Sequence, residues 1–376
     1  MSTRPIRVAL VVPGLGSGGL ERIVRDLALE LAARAYDPAV FCTTKLGLYA
    51  DDLRRARISV WNCGERTLRV VPTRLIKRLV RFSPDVVHAH GGAWRAAATA
   101  RMVLRATPLV YTEHGRTLDA AKWRIAIERW SSRCTDRITA VSRAAAAELH
   151  RLLQLPVSPE VIANGVEPPS SRVRGRDELR REIGVAADDV LAVTVGRLEQ
   201  VKDHSLLLRS FASIADEIPK LRVAFVGGGS LQDRLREDAA RLGVNNRTWF
   251  AGHRTDVPDW LRAADFFVLS SAREGLPVSL LEAMGHGLAT AATAVGGIPE
   301  VLQGSEAGLL VPPGDAGALS QAIARLARDA SLRREMGSHA QQRVRSFSRE
   351  KMIEGYCAVY RSVLEAKETL RQQGTR

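Results

Sequence analysis

The chain has 376 residues, which is too many for one compact core and predicts two domains of about 150 to 200 residues each. Hydrophobic residues make up 45% and charged residues 26% of the chain, a balance that excludes a disordered, collagenous or coiled-coil protein. The longest apolar run near the start, Val8 to Val12, is far shorter than the roughly 20 residues that a bilayer span requires. We therefore expect a globular chain without a transmembrane helix.

The net charge of +14 is concentrated in the first half of the chain. Residues 1–165 hold 26 basic and 14 acidic side chains, whereas residues 166–376 hold 29 and 27. A one-sided positive field predicts an anionic partner, such as lipid headgroups, a phosphorylated acceptor or nucleic acid. Aromatic residues total only 5% and no nucleic-acid-reading motif occurs, so we expect no nucleic-acid partner.

The cysteines and the first residues of the chain favour a reducing compartment. Four cysteines lie far apart without a C-x-x-C pair, a pattern that indicates neither a disulfide framework nor a zinc site. Residues 1–12 look like the start of a signal peptide, but Glu21 and Arg22 stand where its apolar region and cleavage site should follow. We expect a cytoplasmic protein that is not exported.

Short runs rich in β-branched residues alternate with helical patterns along both halves of the chain. In the first half the predicted strands are 6–13, 39–42, 86–90, 108–112, 138–141 and 161–162. In the second half they are 190–195, 222–226, 248–251, 266–269, 288–292 and 308–311. Strands that alternate with helices predict parallel sheets, so the expected fold is α/β with two doubly wound units facing a cleft.

The polar, proline-bearing stretch 167–189 interrupts this alternation and indicates a domain boundary. We therefore predict an N-terminal domain at 1–168, a linker at 169–189 and a C-terminal domain at 190–347. The remaining segment, 348–376, is predicted to be a helix that can pack on either domain, the N-terminal one included.

The first predicted strand ends in a glycine loop in which Gly14, Gly16 and Gly19 match G-x-G-x-x-G. This fingerprint suggests a dinucleotide, but it also requires an acidic residue at the end of the second strand, where the chain has Thr43 and Thr44. A nicotinamide-dependent oxidoreductase therefore stays an alternative. A tight turn is another, and the favoured interpretation is that the loop, with Gly16, Gly18 and Gly19, lets backbone approach a phosphate or sugar.

Two loops of the second half carry charged residues after strands. Arg197 follows the strand 190–195, and Lys202 lies beside a helix start, an arrangement of cations and helix N-terminus that suits a diphosphate. Glu274 lies in the loop after 266–269, Pro277 suits a first helical turn, and Glu282 follows within the helix. The simpler alternatives are solvated surface cations and a capping loop followed by an exposed glutamate.

Together these motifs resemble the retaining GT-B glycosyltransferases of glycosyltransferase family 4, also called group 1, over nearly the whole chain. The segments that carry the resemblance are Gly16 to Glu21, Thr112-Glu113-His114-Gly115, Asn164-Gly165-Val166, Gly196-Arg197-Leu198 with Lys202, and Glu274 with Glu282. The resemblance implies a UDP- or GDP-sugar donor held by the C-terminal domain.

The resemblance also implies a role for each site residue. It places Arg197 and Lys202 on the donor diphosphate and Glu282 on the ribose. It places Glu274 by the donor sugar, with Gly275 and Leu276 among the donor-binding residues. It assigns a catalytic role to Glu274 and to His114, which is expected at the reaction centre in the cleft.

The implied reaction is sugar transfer to a hydroxyl of a lipid-linked or glycan acceptor, and the chain also resembles bacterial exopolysaccharide sugar transferases. A sugar-nucleotide epimerase of the same architecture is the alternative. No cofactor is expected. The chain lacks a D-x-D pattern, the carboxylate pair that would hold Mg²⁺. His88, His90 and His114 follow strands, and their spacing across separate strands argues against a metal site. We therefore expect a metal-independent enzyme. Many members of the family have Phe-Gly where this chain has Leu276-Pro277.

Residues 68–82 form a predicted basic amphipathic helix. Its apolar face holds Val71, Leu75, Ile76, Leu79, Val80 and Phe82, and its basic face holds Arg74, Lys77, Arg78 and Arg81. One interpretation is that the apolar face packs on the sheet and the charges are solvated. The other is attachment to an anionic membrane surface, on the inner face of the plasma membrane.

Overall fold

The structure is a computed structural model that describes residues 4–64, 71–115, 121–169 and 175–373. The chain forms two compact units. The first runs from the N-terminus to Asn164 and includes the C-terminal segment from Glu350, and the second runs from Gly165 to Arg349. The predicted limits at 1–168, 169–189 and 190–347 remain a prediction, and a helix at Arg176–Glu182 lies inside the stretch predicted as linker.

The first unit contains a parallel sheet of seven strands. Its strands are β1 Ile6–Gly14, β2 Tyr36–Lys45, β3 Ser59–Asn62, β4 Val86–His90, β5 Leu109–Glu113, β6 Arg137–Ala140 and β7 Glu160–Val161. They are arranged in the order β3-β2-β1-β4-β5-β6-β7. Its helices are α1 Gly19–Ala32, α2 Tyr49–Arg55, α3 Thr73–Phe82, α4 Trp94–Arg101, α5 Lys122–Arg133, α6 Arg143–Leu153 and, from the C-terminal end, α15 Arg349–Gln373.

The second unit contains a parallel sheet of six strands in the order β10-β9-β8-β11-β12-β13. Its strands are β8 Val190–Val195, β9 Leu221–Val226, β10 Thr248–Gly252, β11 Phe266–Leu269, β12 Ala289–Thr293 and β13 Gly308–Val311. Its helices are α7 Arg176–Glu182, α8 His204–Ala212, α9 Gln232–Arg241, α10 Val257–Ala263, α11 Val278–Gly285, α12 Ile298–Leu302, α13 Ala316–Arg328 and α14 Ala330–Val344.

The central strands are buried on both faces because helices cover the two sides of each sheet. Residues 8–12 of β1 and 266–269 of β11 are fully or almost fully buried, which explains why they are continuous apolar runs rather than alternating ones. Each sheet packs against its helices in a core of its own. In the first unit the rings of Trp94 on α4 and Tyr111 on β5 stack with centroids 3.8 Å apart.

Several helices begin where an acidic or hydroxyl side chain follows a strand or loop. Ser142, Asp203, Asp315 and Asp329 each accept a hydrogen bond from the backbone N–H three residues further on. These caps satisfy donors that the first helical turn leaves unpaired, and each stabilises its helix by about 1 kcal/mol. They therefore mark the residues at which these four helices begin.

All twelve predicted strands are present, and the sequence missed β3. Its four residues, Ser-Val-Trp-Asn, include only two apolar side chains. β3 lies at the edge of the sheet, where it forms hydrogen bonds to a single neighbouring strand, β2. The predicted C-terminal helix is present as α15, which lies with the first unit. Within the described ranges, the structure contains no helix long and apolar enough to span a bilayer.

Candidate functional site

The loops that follow β8 and β11 bring two predicted donor residues into contact. The two strands are neighbours in a parallel sheet, so the loops after them emerge at the same edge. The Nζ atom of Lys202 lies 2.5 Å from Oε1 of Glu274, which also accepts a 2.7 Å hydrogen bond from Ser271. The two side chains are only 18% and 8% exposed. The site therefore holds a largely buried ion pair at the carboxyl edge of the second sheet.

Backbone contacts hold the Glu274 loop in place. Thr293, at the end of β12, donates to the Ser271 carbonyl at 2.6 Å, and the N–H of Gly297 donates to the Gly275 carbonyl at 2.6 Å. Gly296 has φ +54°, and a Cβ there would collide with the Glu274 carbonyl oxygen. Only glycine fits this close approach. The sequence analysis missed Gly296, although the pair of glycines after a predicted strand was a signal for it.

Arg197 lies on the same loop as Lys202, directly after β8, and is exposed. Its guanidinium forms no ion pair with any described residue. Two backbone hydrogen bonds join its loop to the glycine turn after β9: Leu198 N–H to the Gly228 carbonyl, 2.9 Å, and Leu231 N–H to the Leu198 carbonyl, 3.0 Å. Within the described part of the chain, Arg197 is thus a cation without an ion-pair contact, on a fixed backbone at the same sheet edge as Lys202 and within electrostatic range of Glu199.

A histidine that the sequence analysis did not single out supports this loop. His204, at the start of α8, donates through Nε2 to the Arg197 carbonyl at 3.2 Å and packs edge-on against Phe225. Burial lowers the pKa of His204 to about 4, so the ring is neutral at physiological pH. A neutral donor positions the Arg197 backbone without adding charge to the edge.

The predicted residues 275–282 lie partly in the core. Gly275 and Leu276 are buried, and α11 begins directly after Pro277, where the missing N–H is not needed by the helix. Glu282 is half-buried on α11. The departure from Phe-Gly at Leu276-Pro277 is therefore compatible with a regular helix start.

Three histidines form a row at the carboxyl edge of the first sheet. His88 and His90 lie on β4, and His114 follows β5. Nδ1 of His90 lies 3.0 Å from Nε2 of His114, while His88 contacts Tyr360 of α15 at 2.6 Å and Thr112 at 2.7 Å. Burial lowers the pKa of all three rings, that of His114 to about 3. All three are neutral at physiological pH.

The hydrogen-bond partners of His90 and His114 determine which ring nitrogen of each carries the proton. Nε2 of His90 is buried without a partner. Buried N–H groups without an acceptor are rarer than under-used acceptors, so this Nε2 carries the lone pair and Nδ1 carries the proton. His90 then donates to Nε2 of His114, which leaves the His114 proton on Nδ1. His114 therefore offers a neutral N–H donor, and no described residue accepts from it.

The glycine loop of the first unit adopts a close turn. α1 begins at Gly19 with Gly18 at its N-cap, and a Cβ on Gly14 would lie 2.8 Å from the Lys45 carbonyl oxygen. The carboxylate of Glu21 lies against the Gly18 backbone, close enough to collide with a Cβ there. A carboxylate at this helix N-terminus occupies the place where a dinucleotide would put its pyrophosphate, which argues against the oxidoreductase alternative.

The predicted membrane helix is present as α3, and residues 68–70 of the prediction lie outside the described residues. Leu75, Leu79 and Phe82 are buried in the core of the first unit. Val71 and Val80 are about half exposed, at 49% and 52%. Most of the apolar face therefore packs on the sheet, as in the simpler interpretation, and the basic face remains on the surface.

Metal-ligating side chains do not gather in the described part of the chain. There, no group of three or more histidine, cysteine, aspartate or glutamate side chains is placed to hold a metal ion.

Comparison with known proteins identifies the class first. A crystal structure of Anabaena Alr3699/HepE in complex with UDP-glucose superimposes with a TM-score of 0.83 at 22% identity, covering 95% of this chain and 100% of that one. WaaG, a glycosyltransferase involved in lipopolysaccharide biosynthesis, superimposes with a TM-score of 0.75 at 17% identity, covering 94% and 99%. The two parallel sheets and these neighbours define a GT-B fold, as predicted.

Sequence comparison then gives the family. The family model "Glycosyl transferases group 1" matches residues 175–343, and "Glycosyltransferase Family 4" matches residues 17–169. A D-inositol 3-phosphate glycosyltransferase of Kribbella flavida is 30% identical over 75% of this chain and 72% of its own length. An N-acetyl-alpha-D-glucosaminyl L-malate synthase of Bacillus anthracis is 25% identical over 94% and 95%. The chain belongs to the group 1, family 4 glycosyltransferases, which confirms the predicted family and enzyme class.

Proposed function

We propose that this enzyme transfers a hexose from a UDP- or GDP-sugar to a hydroxyl of a lipid-linked or glycan acceptor, with retention of the anomeric configuration. The observation that carries the proposal is the buried Lys202–Glu274 pair beside the exposed Arg197 at one sheet edge. Support also comes from relatives, since the putative glycosyltransferase EpsD of Bacillus subtilis is 26% identical over 78% of this chain. We assign the enzyme to exopolysaccharide or cell-surface glycan synthesis.

The donor diphosphate binds to Arg197 and Lys202 in this proposal. Lysine Nζ carries three hydrogens, and Glu274 takes one of them, so Lys202 can donate to a phosphate without releasing its carboxylate. Negative charge grows on the nucleoside diphosphate as the sugar departs. Fixed cations and oriented backbone N–H groups stabilise that charge without reorganising, so the site requires no metal ion.

The donor sugar and ribose bind to carboxylates of the same loop and helix. Glu274 keeps one oxygen, Oε2, outside its contacts with Lys202 and Ser271, and this oxygen can accept from a sugar hydroxyl. Glu282 binds the ribose hydroxyls from α11. Gly275 and Leu276 shape the backbone between the two carboxylates. Lys202 and Ser271 hold the Glu274 carboxylate in one geometry, and a fixed orientation of the bound sugar favours the transition state.

His114 is the proposed catalytic residue of the first unit. Its low pKa makes it a weak base at neutral pH, so we assign it hydrogen-bond donation through Nδ1–H to an oxygen of the reacting groups. This assignment follows from the proton position that His90 imposes. The backbone of the loop with Gly16, Gly18 and Gly19 contacts the acceptor.

The basic face of α3 supports a proposed attachment of the enzyme to the inner face of an anionic membrane. Surface lysines and arginines attract anionic headgroups by about 1 kcal/mol each, and this attraction does not require an exposed apolar face. A lipid-linked acceptor would then be presented at the surface to which the first unit is adsorbed.

Donor binding tests the proposal. Either a UDP-sugar or a GDP-sugar should raise the Tm of the purified protein, by an amount equivalent to about 2.7 kcal/mol at 100 times the Kd. Arg197→Ala, Lys202→Ala and Glu282→Ala should each weaken binding of the stabilising donor by roughly 1–3 kcal/mol, measured by calorimetry. Arg325→Ala, a change at an exposed arginine of α13, is the matched control. Parent-like donor affinity in all three variants would show that the donor assignment is wrong.

A further inference from the structure

A cationic cavity lies at the amino-terminal edge of the second sheet, where β11 and β12 begin. Its volume is about 550 Å³. The charged and titratable residues that line it are Arg176, Arg262, Asp265, His286, Arg333 and Arg334. Arg197, Lys202 and Glu274 follow the carboxyl ends of strands in the same sheet. The cavity is therefore separate from the proposed donor site.

The cavity has more positive than negative charge. Among the described lining residues Asp265 is the only carboxylate, and it is already bound by Arg176 at 2.7 Å and by Arg180, behind the lining, at 3.1 Å. The side chains of Arg262 and Arg334 are exposed and form no hydrogen bond or ion pair with any described residue. The lining thus has four guanidinium groups and one carboxylate, which Arg176 and Arg180 already bind.

Two polar groups of the lining have unused hydrogen-bonding capacity. One Nη atom of Arg333 donates to the Leu326 and Ala327 carbonyls at 2.6 and 3.0 Å. Burial lowers the pKa of this residue; attraction to Asp265 and Asp329 opposes the shift, and repulsion from Arg176 and Arg334 adds to it. His286 donates through Nδ1 to the Glu282 carbonyl at 2.9 Å, which leaves its Nε2 buried without a partner. Its Nε2 is an acceptor in this state.

Helix capping explains only part of this cluster. Arg176 and Arg180 donate to carbonyls at the end of α10, and Arg333 donates to carbonyls at the end of α13. Basic side chains at helix C-termini are common for that reason. Capping does not account for Arg262 and Arg334, whose guanidinium groups extend from the same lining without any carbonyl or carboxylate partner among the described residues.

We propose that this cavity binds a ligand with clustered phosphate groups. Planar guanidinium groups bind phosphate oxygens in pairs, and Arg262 and Arg334 are free to do so. The volume lies within the range of small-molecule sites, and a protonated phosphate oxygen or a neighbouring hydroxyl can donate to Nε2 of His286. The source of the phosphates is a free polyphosphate anion or an anionic lipid headgroup, which share this chemistry.

The test compares a cavity variant with a charge-matched control. The variant Arg262→Gln/Arg334→Gln removes the two unpartnered cations, and Arg209→Gln/Arg325→Gln removes two exposed arginines elsewhere in the same unit. Tripolyphosphate is titrated into each protein by calorimetry. Both variants keep the donor residues, so binding at the donor edge is equal in the two and only their difference reports on the cavity.

We expect tripolyphosphate to bind the cavity variant at least tenfold more weakly than the control, while the unliganded Tm of the two proteins agrees. Cosedimentation with phosphatidylglycerol and phosphatidylcholine vesicles forms the second arm. A defect of the cavity variant on phosphatidylglycerol alone assigns the phosphates to a lipid headgroup, and a defect with tripolyphosphate alone assigns them to a free anion. Equal behaviour of variant and control in both arms would overturn the proposal, whether or not nucleotide-sugar binding is retained.

Discussion

Removing the cation from the Lys202–Glu274 pair should destabilise the second unit far more than removing a cation of the same type from the surface. The change Lys202→Met keeps the aliphatic length of the side chain and deletes the charge. It leaves a carboxylate that is 8% exposed with a hydrogen bond from Ser271 but without its counter-ion. An isolated buried charge is costly because it has lost its hydration.

The magnitude follows from the burial of the pair. Breaking a fully buried ion pair by deleting one partner costs about 3–5 kcal/mol. Lys202 is 18% exposed, so water replaces part of its contribution, and we expect a loss of about 2–4 kcal/mol in the free energy of unfolding. For a unit of this size that corresponds to a decrease of roughly 4–16 °C in Tm.

The chain contains a matched control for this experiment. Lys220 and Asp188 are also 2.5 Å apart, but these side chains are 62% and 66% exposed, so Lys220→Met should leave stability unchanged within error. Urea unfolding followed by circular dichroism measures both variants. In the Lys202→Met background, Glu274→Gln should recover part of the loss, because a neutral amide needs no counter-ion. If Lys202→Met is no more destabilising than Lys220→Met, the pair is not buried as described.

The remaining predictions concern the histidine row and the basic helix. His114→Ala should lower kcat much more than it raises the donor KM, because a group needed mainly in the transition state contributes little to ground-state binding. Steady-state kinetics with the stabilising donor measures both constants. An unchanged kcat would show that His114 has only a binding role. Burial lowers the pKa of His88, His90 and His114, so below about pH 6.5 the unfolded chain binds protons that the folded chain does not. Stability should therefore be complete above about pH 6.5 and fall below it, by up to about 1.4 kcal/mol per pH unit for each ring. Urea titrations at pH 7.5 and 5.5 check this, and a flat profile would contradict it. Changing Arg74 and Lys77 to Gln should reduce cosedimentation with anionic vesicles at low salt, whereas equal, negligible binding of the parent to anionic and neutral vesicles would exclude the membrane role.

The sequence predicts the two sheets well because buried parallel strands are continuous apolar runs, and such runs are visible without a structure. The edge strand β3 escapes this rule because only one neighbour supports it and half of its residues are polar. The helix at Arg176–Glu182 was also not predicted, because its sequence is almost entirely polar and is typical of a linker.

The candidate site is predictable only where strand order determines proximity. Lys202 and Glu274 are 72 residues apart, yet both follow strands that are neighbours in a doubly wound sheet, so their shared edge could be expected. The contact between His88 and Tyr360 spans 272 residues and depends on where α15 packs, which no local pattern records. Gly296 could not be predicted either, because the need for glycine there comes from the close approach of the Glu274 carbonyl, which is distant in sequence.

Product analysis tests the central claim most directly. The enzyme is incubated with the α-linked sugar nucleotide that stabilises it best, with and without a panel of lipid-linked and glycan hydroxyl acceptors, and nucleoside diphosphate release and the anomeric proton coupling of the product are measured by NMR. The proposal predicts acceptor-dependent release and an α-linked product, and slower formation of both with Glu282→Ala at subsaturating donor. Conversion of the sugar nucleotide without an acceptor, or a β-linked product, would contradict it.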